Sequence, residues 1–294
     1  MVTMAVSEQL PKDEARALFK RYRLLILLPI LLLIGSVAFL GMGYLNTGEW
    51  FLRSIELTGG TAITIPANGF GVAELETALE PFSAHVREFI GISGTSLIVT
   101  VGPETDMDSV LEALGSLGLP TNLATTESVG SALSEAFWFQ AQAGILVAFI
   151  LMSIAVFTLF RKLGPSVAVI LAAASDILVT LALMQVFQIP LSLAGIGALL
   201  MLIGYSVDTD ILLTSRLTRS GTDRVSERIR SAMKTGLTMT FTTIAVVAVL
   251  YFSGISVVIS TITAVLLIGL VVDLVNTWIQ NVALLVWFLG RSKL

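Results

Sequence analysis

The chain of 294 residues has no cysteine, a single histidine and few charges. Without cysteine it forms no disulfide and offers no thiolate ligand to a metal. His85 alone cannot form a histidine cluster. Charged residues make up 13% of the chain, about half of what a soluble domain carries. These absences exclude thiolate and histidine-cluster metal centres, and they are atypical of a soluble enzyme.

What the chain has in abundance is long apolar runs. Hydrophobic residues make up 55% of the sequence and the mean hydropathy is +0.91. A helix needs about 20 apolar residues to cross a bilayer core. Runs of that order lie at 24–44, 137–160, 166–187, 192–213, 236–253 and 257–289. The last run is longer than one crossing requires, which leaves open a partial crossing with its end along the inner interface.

The basic residues predict the orientation of these runs. Arginines and lysines cluster before the first run, between the second and third, between the fourth and fifth, and after the sixth. With six crossings all of these clusters lie on one side, and only Arg53 and Arg87 lie on the other. Since basic residues concentrate in cytoplasmic segments, we predict a multi-pass protein of the cell membrane with both termini cytoplasmic. The predicted parts are a cytoplasmic segment 1–23, a transmembrane helix 24–44, an extracytoplasmic domain 45–136, and a five-helix bundle 137–294 with a cytoplasmic loop 214–235.

The segment between the first two runs has the pattern of a folded domain. Alternating and β-branched stretches predict strands at 61–66, 84–90, 96–102 and 122–129, with helices at 72–81 and 107–117. Asp106 is the expected N-cap of the second helix and Gly118 its stop. A further strand is predicted at 51–57. The fold class is therefore a membrane all-α bundle of six transmembrane helices with an extracytoplasmic ferredoxin-like α+β domain between helices 1 and 2.

Four aspartates lie inside the apolar runs: Asp176, Asp208, Asp210 and Asp273. Each costs about 2.5–3.5 kcal/mol at the centre of a membrane helix, so we expect these side chains to have a role. Asp208 and Asp210 are about 200° apart around a helix and cannot share one face. We expect Asp176 and Asp208 to be relay carboxylates for a proton or cation, and Asp210 to face the inner rim.

Other polar or small residues accompany these acids. Gly204 and Ser206 each precede an aspartate by four residues, which predicts close helix packing there. Arg216 is a candidate counter-charge for Asp208 and also a candidate topology arginine. In the sixth run, one helical face carries a polar stripe that Asp273 begins: Asp273, Asn276, Thr277, Gln280 and Asn281. A stripe of this kind either takes part in the relay or only joins helices, at about 0.6 kcal/mol per hydrogen bond.

Several kinds of chemistry are excluded by the same pattern. The segment 45–136 carries twelve acidic residues against Arg53 and Arg87, which opposes nucleic-acid binding. It contains no nucleophile–base pairing and no metal-ligand spacing. Intramembrane aspartyl proteolysis would require a G-x-G-D signature, and the residues before Asp210 are Val207, Asp208 and Thr209. We therefore expect no enzyme activity, no metal and no cofactor.

Three stretches resemble the SecD/SecF family of protein-export membrane proteins, within the RND superfamily. Residues 54–60 (SIELTGG) resemble its G-I-D-F-x-G-G element, and residues 127–137 (ESVGSALSEAF) its V-G-x-x-x-x-x-x-A stretch. Residues 203–216 resemble I-G-Y-S-x-N-D-T-I-V-V-x-D-R. The positions matched include Gly59, Gly60, Val129, Gly130 and Tyr205. The chain departs from the bacterial pattern at Ser175-Asp176 and at Asp208-Thr209-Asp210, and it resembles the archaeal form.

The resemblance implies a subunit of the Sec protein translocation apparatus. Its implied partners are a SecD-like protein, a SecY-type channel, the translocating polypeptide and the lipid bilayer. The resemblance also implies use of the proton motive force through Asp176 and the acids of the fourth run. Two alternatives remain open, namely half of an RND-type small-molecule or lipid transporter, and a translocon scaffold that transduces no energy.

Overall fold

The computed structural model describes residues 20, 22, 24–92, 94–219 and 224–291. Within them lie six helices long and apolar enough to cross a membrane, one for each predicted run. Span one is Leu27–Thr47, span two Ser131–Phe160, span three Leu163–Val186, span four Leu193–Thr218, span five Val225–Ser253 and span six Val257–Leu289. The predicted cytoplasmic segment 1–23 lies outside the described residues except for Lys20 and Tyr22.

Spans four and five extend further than the apolar runs indicated. The predicted loop 214–235 is wrong for most of its length, because span four continues to Thr218 and span five begins at Val225. The loss of hydropathy after 213 was taken for the end of a helix. However, Leu217 and Ile229 lie in one apolar cluster with Val282 of span six. This packing stabilises the helix ends although their outer faces are charged.

Between spans one and two the chain forms a four-stranded antiparallel sheet. The strands are β1 (Gly60–Pro66), β2 (His85–Gly91), β3 (Gly94–Val101) and β4 (Thr125–Val129), in the order β2-β3-β1-β4. A short helix α1 (Ile55–Thr58) precedes them, and α2 (Val72–Ala78) and α3 (Met107–Ser116) follow β1 and β3. Alternate residues of β1 and β3 pack against these two helices in a core that includes Ile63, Ile65, Leu75, Leu97, Val99, Val110 and Leu114. We call residues 60–129 the sheet domain.

Two of the predicted local features are confirmed and two are corrected. Asp106 caps α3 by accepting a hydrogen bond from the Ser109 N–H, and Gly118 follows the helix with φ +87°. The last strand begins at Thr125 rather than 122, because residues 121–123 form a 3₁₀ turn. The strand predicted at 51–57 is wrong. Residues 52–54 instead bond the connection between spans three and four, through Ser54 N to Leu191 O at 2.9 Å, and α1 follows.

The sheet domain meets the bundle at several connections between spans. At the start of β1, a side chain on Gly59 would lie 3.1 Å from Ser131 Cα, where span two begins. At the other end of the sheet, the Ile92 N–H donates to the Gly254 carbonyl, 3.2 Å away, between spans five and six. With Leu191 between spans three and four, these contacts place the three connections on one side of the bundle. Six helices that all cross the membrane require that arrangement.

The bundle is most closely packed where spans four, five and six meet. A Cβ on Gly269 would lie 2.4 Å from Leu202 Cδ2, and one on Gly236 would lie 2.4 Å from Trp278 Cζ2. The close packing predicted at Gly204 is wrong, since that residue is exposed and a Cβ there would have no neighbour within 4 Å. A glycine four residues before an aspartate therefore did not identify where the helices make contact. The contacting glycines lie on the helices that face span four.

Candidate functional site

Three of the four membrane aspartates meet in one buried cluster between spans three, four and six. Asp176, Asp210 and Asp273 are each at most 1% exposed. A buried charge is costly unless it is paired and hydrogen-bonded. No three acidic or histidine side chains in the described part of the chain are placed to hold a metal ion together. The hydrogen-bond partners of the aspartates therefore determine what this cluster can do.

Asp176 joins span three to the two helices beside it. The Ser206 hydroxyl of span four donates to its Oδ2, and the Asn276 amide of span six donates to its Oδ1 at 2.7 Å. The adjacent Ser175 accepts a hydrogen bond from the Gln280 amide at 3.1 Å. Ser175 and Asp176 therefore form a contact between spans three and six.

Asp210 is held by span six alone. Its Oδ1 accepts from the Asn281 amide at 2.6 Å and from the Thr277 hydroxyl at 2.9 Å. Its Oδ2 is buried and has no hydrogen-bond partner among the described residues. One oxygen of this carboxyl group is therefore satisfied and the other is free to carry a proton or to accept one more donor.

Thr277 also lies against Asp273, one helical turn before it. Its Oγ1 is 2.9 Å from Asp273 Oδ1, the same distance as from Asp210 Oδ1. A hydroxyl group has a single hydrogen and donates to one acceptor at a time. Both contacts are hydrogen bonds only when one of the two carboxyl groups is protonated and donates to Thr277. The geometry thus fits two carboxyl groups that hold one proton between them.

A π-helical turn over Asn276–Asn281 presents the stripe of span six to this cluster. Such turns are rare and occur frequently at functional sites. The residues of the stripe are all buried, and each contacts an aspartate, Ser175 or Thr209 on span three or four. The structure therefore places Asn276, Thr277, Gln280 and Asn281 together with the acids.

The cluster keeps spare acceptor atoms. Besides Asp210 Oδ2, the side-chain oxygens of Asn276, Gln280 and Asn281 are buried without a hydrogen-bond partner in the described part of the chain. Buried polar atoms in proteins are nearly always hydrogen-bonded, often to ordered water. All four atoms are acceptors or sites for a proton, so the cluster has capacity for water and protons.

The predicted placement of Asp208 and Asp210 is reversed. Asp210 lies in the cluster, whereas Asp208 is exposed and lines a cavity of about 260 Å³ between spans four, five and six. The two do lie on opposite faces, as their spacing indicated. The side that packs is decided by Asn281 and Thr277 of span six, which the sequence of span four cannot show. Asp273 lines the same cavity, which therefore joins the buried cluster to the outside.

Within the described part of the chain, Arg216 does not pair with an aspartate. Its guanidinium donates to the hydroxyls of Ser231 at 2.6 Å and Thr235 at 3.1 Å, both on span five. The predicted counter-charge to Asp208 is wrong, because the arginine lies two turns further along span four and contacts span five. Tyr205 lines the cavity beside Asp208. Gly60 of the Gly59-Gly60 pair has φ +125°, and a Cβ there would lie 2.3 Å from Val101 O. The backbone of Gly60 therefore lies in close contact with strand β3 of the sheet domain.

Thr209 and Ser175 are site residues that were not predicted from the sequence. The Thr209 hydroxyl donates to Ser206 O at 2.8 Å and lies 3.5 Å from Asp273 Oδ2. Both residues adjoin an aspartate in the sequence, and this adjacency is the feature that could have identified them as site residues. Hydroxyls are common in membrane helices, however, and adjacency alone does not show which face they occupy.

Comparison with known proteins places this arrangement in a family. A family model described as protein export membrane protein SecD/SecF, C-terminal, matches residues 110–291. The chain is 40% identical to a protein-export membrane protein SecF of Methanothermobacter thermautotrophicus over 279 residues, which cover 92% of this chain and 94% of the relative. It is 36% identical over 272 residues to the SecF protein of Pyrococcus furiosus, covering 92% of each chain.

A solved structure has a similar fold. The crystal structure of SecDF, a translocon-associated membrane protein from Thermus, matches with a TM-score of 0.70 at 23% identity. The match covers 97% of this chain and 40% of the SecDF chain. The chain thus corresponds in fold to less than half of that larger protein.

Proposed function

The chain belongs to the SecD/SecF family of protein-export membrane proteins, and from this membership we propose how its buried cluster serves protein export. Its SecF relatives match it over about nine-tenths of its length, so the chain is a SecF-like component of protein export. The role proposed is transport rather than catalysis.

The arrangement follows from the basic residues and the contacts between spans. Both termini lie in the cytoplasm of a cell whose cell membrane holds the six spans, and the sheet domain is extracytoplasmic. Its β-α-β-β-α-β order and its strand order β2-β3-β1-β4 support a ferredoxin-like domain. The first helix is a membrane anchor, and the other five form a bundle.

Its partners are a SecD-like protein and a SecY-type channel, and its substrate is the translocating polypeptide. The solved SecDF chain of similar fold is about two and a half times as long as the part matched here, and it is described as translocon-associated. A SecD-like partner with its own set of helices would correspond to the rest of the SecDF chain. The exposed cavity side of spans four and five is available to such a partner.

Energy comes from the proton motive force through Asp273, Thr277 and Asp210. The single observation that carries this proposal is the Thr277 hydroxyl, which lies 2.9 Å from an oxygen of each carboxyl group. When Asp273 holds the proton, it donates to Thr277 Oγ1 while the Thr277 hydrogen passes to Asp210. The proton has then moved from Asp273 to Asp210, Thr277 is regenerated and charge balances.

The proton reaches Asp273 through the cavity that this residue lines. Asp176 acts beside the pair, because its bonds to Ser206 and Asn276 fix spans four and six around it. Asp208 is left out of the relay, since it lies outside the buried cluster. A change in protonation alters which hydrogen bonds join spans four and six. Because span six is joined through Gly254 to the sheet domain, such a change has a mechanical route to the outer surface.

Two experiments test the function and the energy source separately. Tagged chain purified from native membranes is expected to bring down a SecD-like protein and the channel, and its recovery without them would contradict the proposed partners. Export of a reporter protein is then measured with and without a protonophore. The scaffold alternative predicts the same export in both conditions, whereas the relay predicts that the protonophore removes the contribution of this chain. The transporter alternative predicts that loss of the chain leaves export unchanged.

A further inference from the structure

The described part of the sheet domain exposes three large apolar side chains, and two of them lie close together in the sequence. In the described part of residues 60–129 these are Ile90 and Ile92, each 73% exposed, and Leu123, 62% exposed. The two isoleucines stand at the turn between β2 and β3, which we call the hairpin tip (residues 90–92). The sheet domain as a whole carries many more acidic than basic residues.

The hairpin tip lies at the level where the membrane helices end. The Ile92 N–H donates to the Gly254 carbonyl at 3.2 Å. Gly254 follows Ser253, the last residue of span five, and span six begins three residues later at Val257. The tip is therefore placed at the boundary between the apolar spans and water, rather than on the far side of the domain.

This approach is a direct contact between two backbones. Gly254 has φ +55°, and a Cβ there would lie 2.8 Å from Ile90 O and 2.9 Å from Gly91 Cα. From the other side, a Cβ on Gly91 would lie 3.2 Å from Gly254 O. Because no side chain separates them, the tip and the connection between spans five and six lie at the same level relative to the ends of the membrane helices.

The apolar surface of the spans continues onto the tip. Beside Gly254, three large apolar side chains are exposed: Phe252 of span five, Ile255 of the connection and Val258 of span six. Ile90 and Ile92 add apolar surface next to them. Two isoleucine side chains offer far less than the roughly 1,000 Å² that a specific protein interface buries. Both the small apolar area of the two isoleucines and their position at the ends of the spans fit contact with lipid better than contact with a protein partner.

We propose that the hairpin tip is a membrane contact, with Ile90 and Ile92 in the interfacial region of the bilayer leaflet on the side of the sheet domain. The contact fixes the hairpin end of β2, an edge strand of the sheet, against the membrane. It also gives Ile90 and Ile92 an apolar environment that the acidic domain surface does not provide. This inference depends only on the chain crossing a membrane and is independent of the proton relay.

The absence of native cysteine makes the test direct, since a single introduced cysteine is the only site for a thiol-specific spin label. The full chain is reconstituted in vesicles of phosphatidylcholine and phosphatidylglycerol as Ile92→Cys, Leu123→Cys or Val258→Cys. Leu123 is the matched control, because it is an exposed leucine of the same domain beside the opposite edge strand. Val258 is the control for lipid exposure. Electron paramagnetic resonance compares accessibility of each label to oxygen, which concentrates in lipid, and to a water-soluble nickel chelate.

We expect the label at 92 to resemble that at 258, with oxygen favoured over the nickel chelate, and the label at 123 to show the reverse. The same result at Ile90→Cys would support the contact independently of any local disturbance at 92. Equal nickel accessibility at 92 and 123 would overturn the proposal. A label at 92 shielded from both reagents would also overturn it, because a protein surface rather than lipid would then cover the tip.

Discussion

The carboxyl groups of Asp210 and Asp273 share one hydroxyl, because Thr277 Oγ1 lies 2.9 Å from an oxygen of each. The two aspartates belong to different spans, so this hydroxyl is also a link between spans four and six. Since it has one hydrogen, it can hydrogen-bond to both only if one carboxyl group is protonated. Proton position and helix contact are therefore coupled at a single side chain.

Removing that hydroxyl should uncouple the chain from the proton gradient. Thr277→Val keeps the shape and loses the hydroxyl, whereas Thr277→Ser keeps the hydroxyl. Proton transfer through a positioned side chain typically contributes about 10²–10⁴-fold. We therefore expect the protonophore-sensitive part of export to fall by at least about tenfold in Thr277→Val and to persist in Thr277→Ser. Equal export by the two variants would exclude Thr277 from the relay.

Neutralising Asp176 should impair export without unfolding the bundle. In Asp176→Asn the new amide still accepts from Asn276, and its NH₂ can donate to the Ser206 hydroxyl. We expect normal yield, an unchanged melting temperature and retained binding of the SecD-like partner, with export reduced. Export at the wild-type rate would show that Asp176 only holds helices together.

Close packing between spans four and six should be sensitive at Gly269 and insensitive at Gly204. A Cβ on Gly269 would meet Leu202 at 2.4 Å, whereas a Cβ on Gly204 would meet nothing within 4 Å. Overpacking a core typically costs about 1–3 kcal/mol. We expect Gly269→Ala to lower the free energy of unfolding in detergent by that order and Gly204→Ala to leave it nearly unchanged. Equal stability of the two variants would contradict the packing of these spans.

The cap of α3 should make the sheet domain sensitive to acid. The Ser109 hydroxyl, followed by its backbone N–H, holds the pKa of Asp106 below its usual value. This stabilisation is complete above the unfolded-state pKa of about 3.9 and is lost as the pH falls through the lower folded-state pKa. Hydrogen exchange of residues 107–116 in the full chain measures it. We expect Asp106→Asn to lower protection at pH 7 and the difference from wild type to vanish in acid. A difference that is independent of pH would contradict a charge-dependent cap.

The number of spans and the order of elements in the sheet domain could be predicted because each depends on local pattern. Long apolar runs and alternating strands are properties of neighbouring residues, and Asp106 capped its helix as its position indicated. Helix ends were less predictable, since Leu217 and Ile229 are stabilised by packing against span six.

The site was predicted in composition but not in arrangement. Three of the four aspartates and the polar stripe of span six do meet, yet Asp208 and Asp210 exchanged their expected positions. Which of two opposite faces is buried depends on the neighbouring helix, here through Asn281 and Thr277. The bridging position of Thr277 depends on the turn over Asn276–Asn281, which the regular 3.6-residue period does not indicate.

Two aspartates on one helix provide a test of whether a buried carboxyl pair couples the proton gradient to export. Export driven by a proton gradient is measured for Asp210→Asn and Asp208→Asn, each with normal yield and partner binding. Asp210 lies in the cluster and Asp208 faces the cavity, although only one residue separates them. We expect Asp210→Asn to remove the stimulation of export by the gradient and Asp208→Asn largely to keep it. Full stimulation in Asp210→Asn would show that the carboxyl pair does not couple the gradient to export.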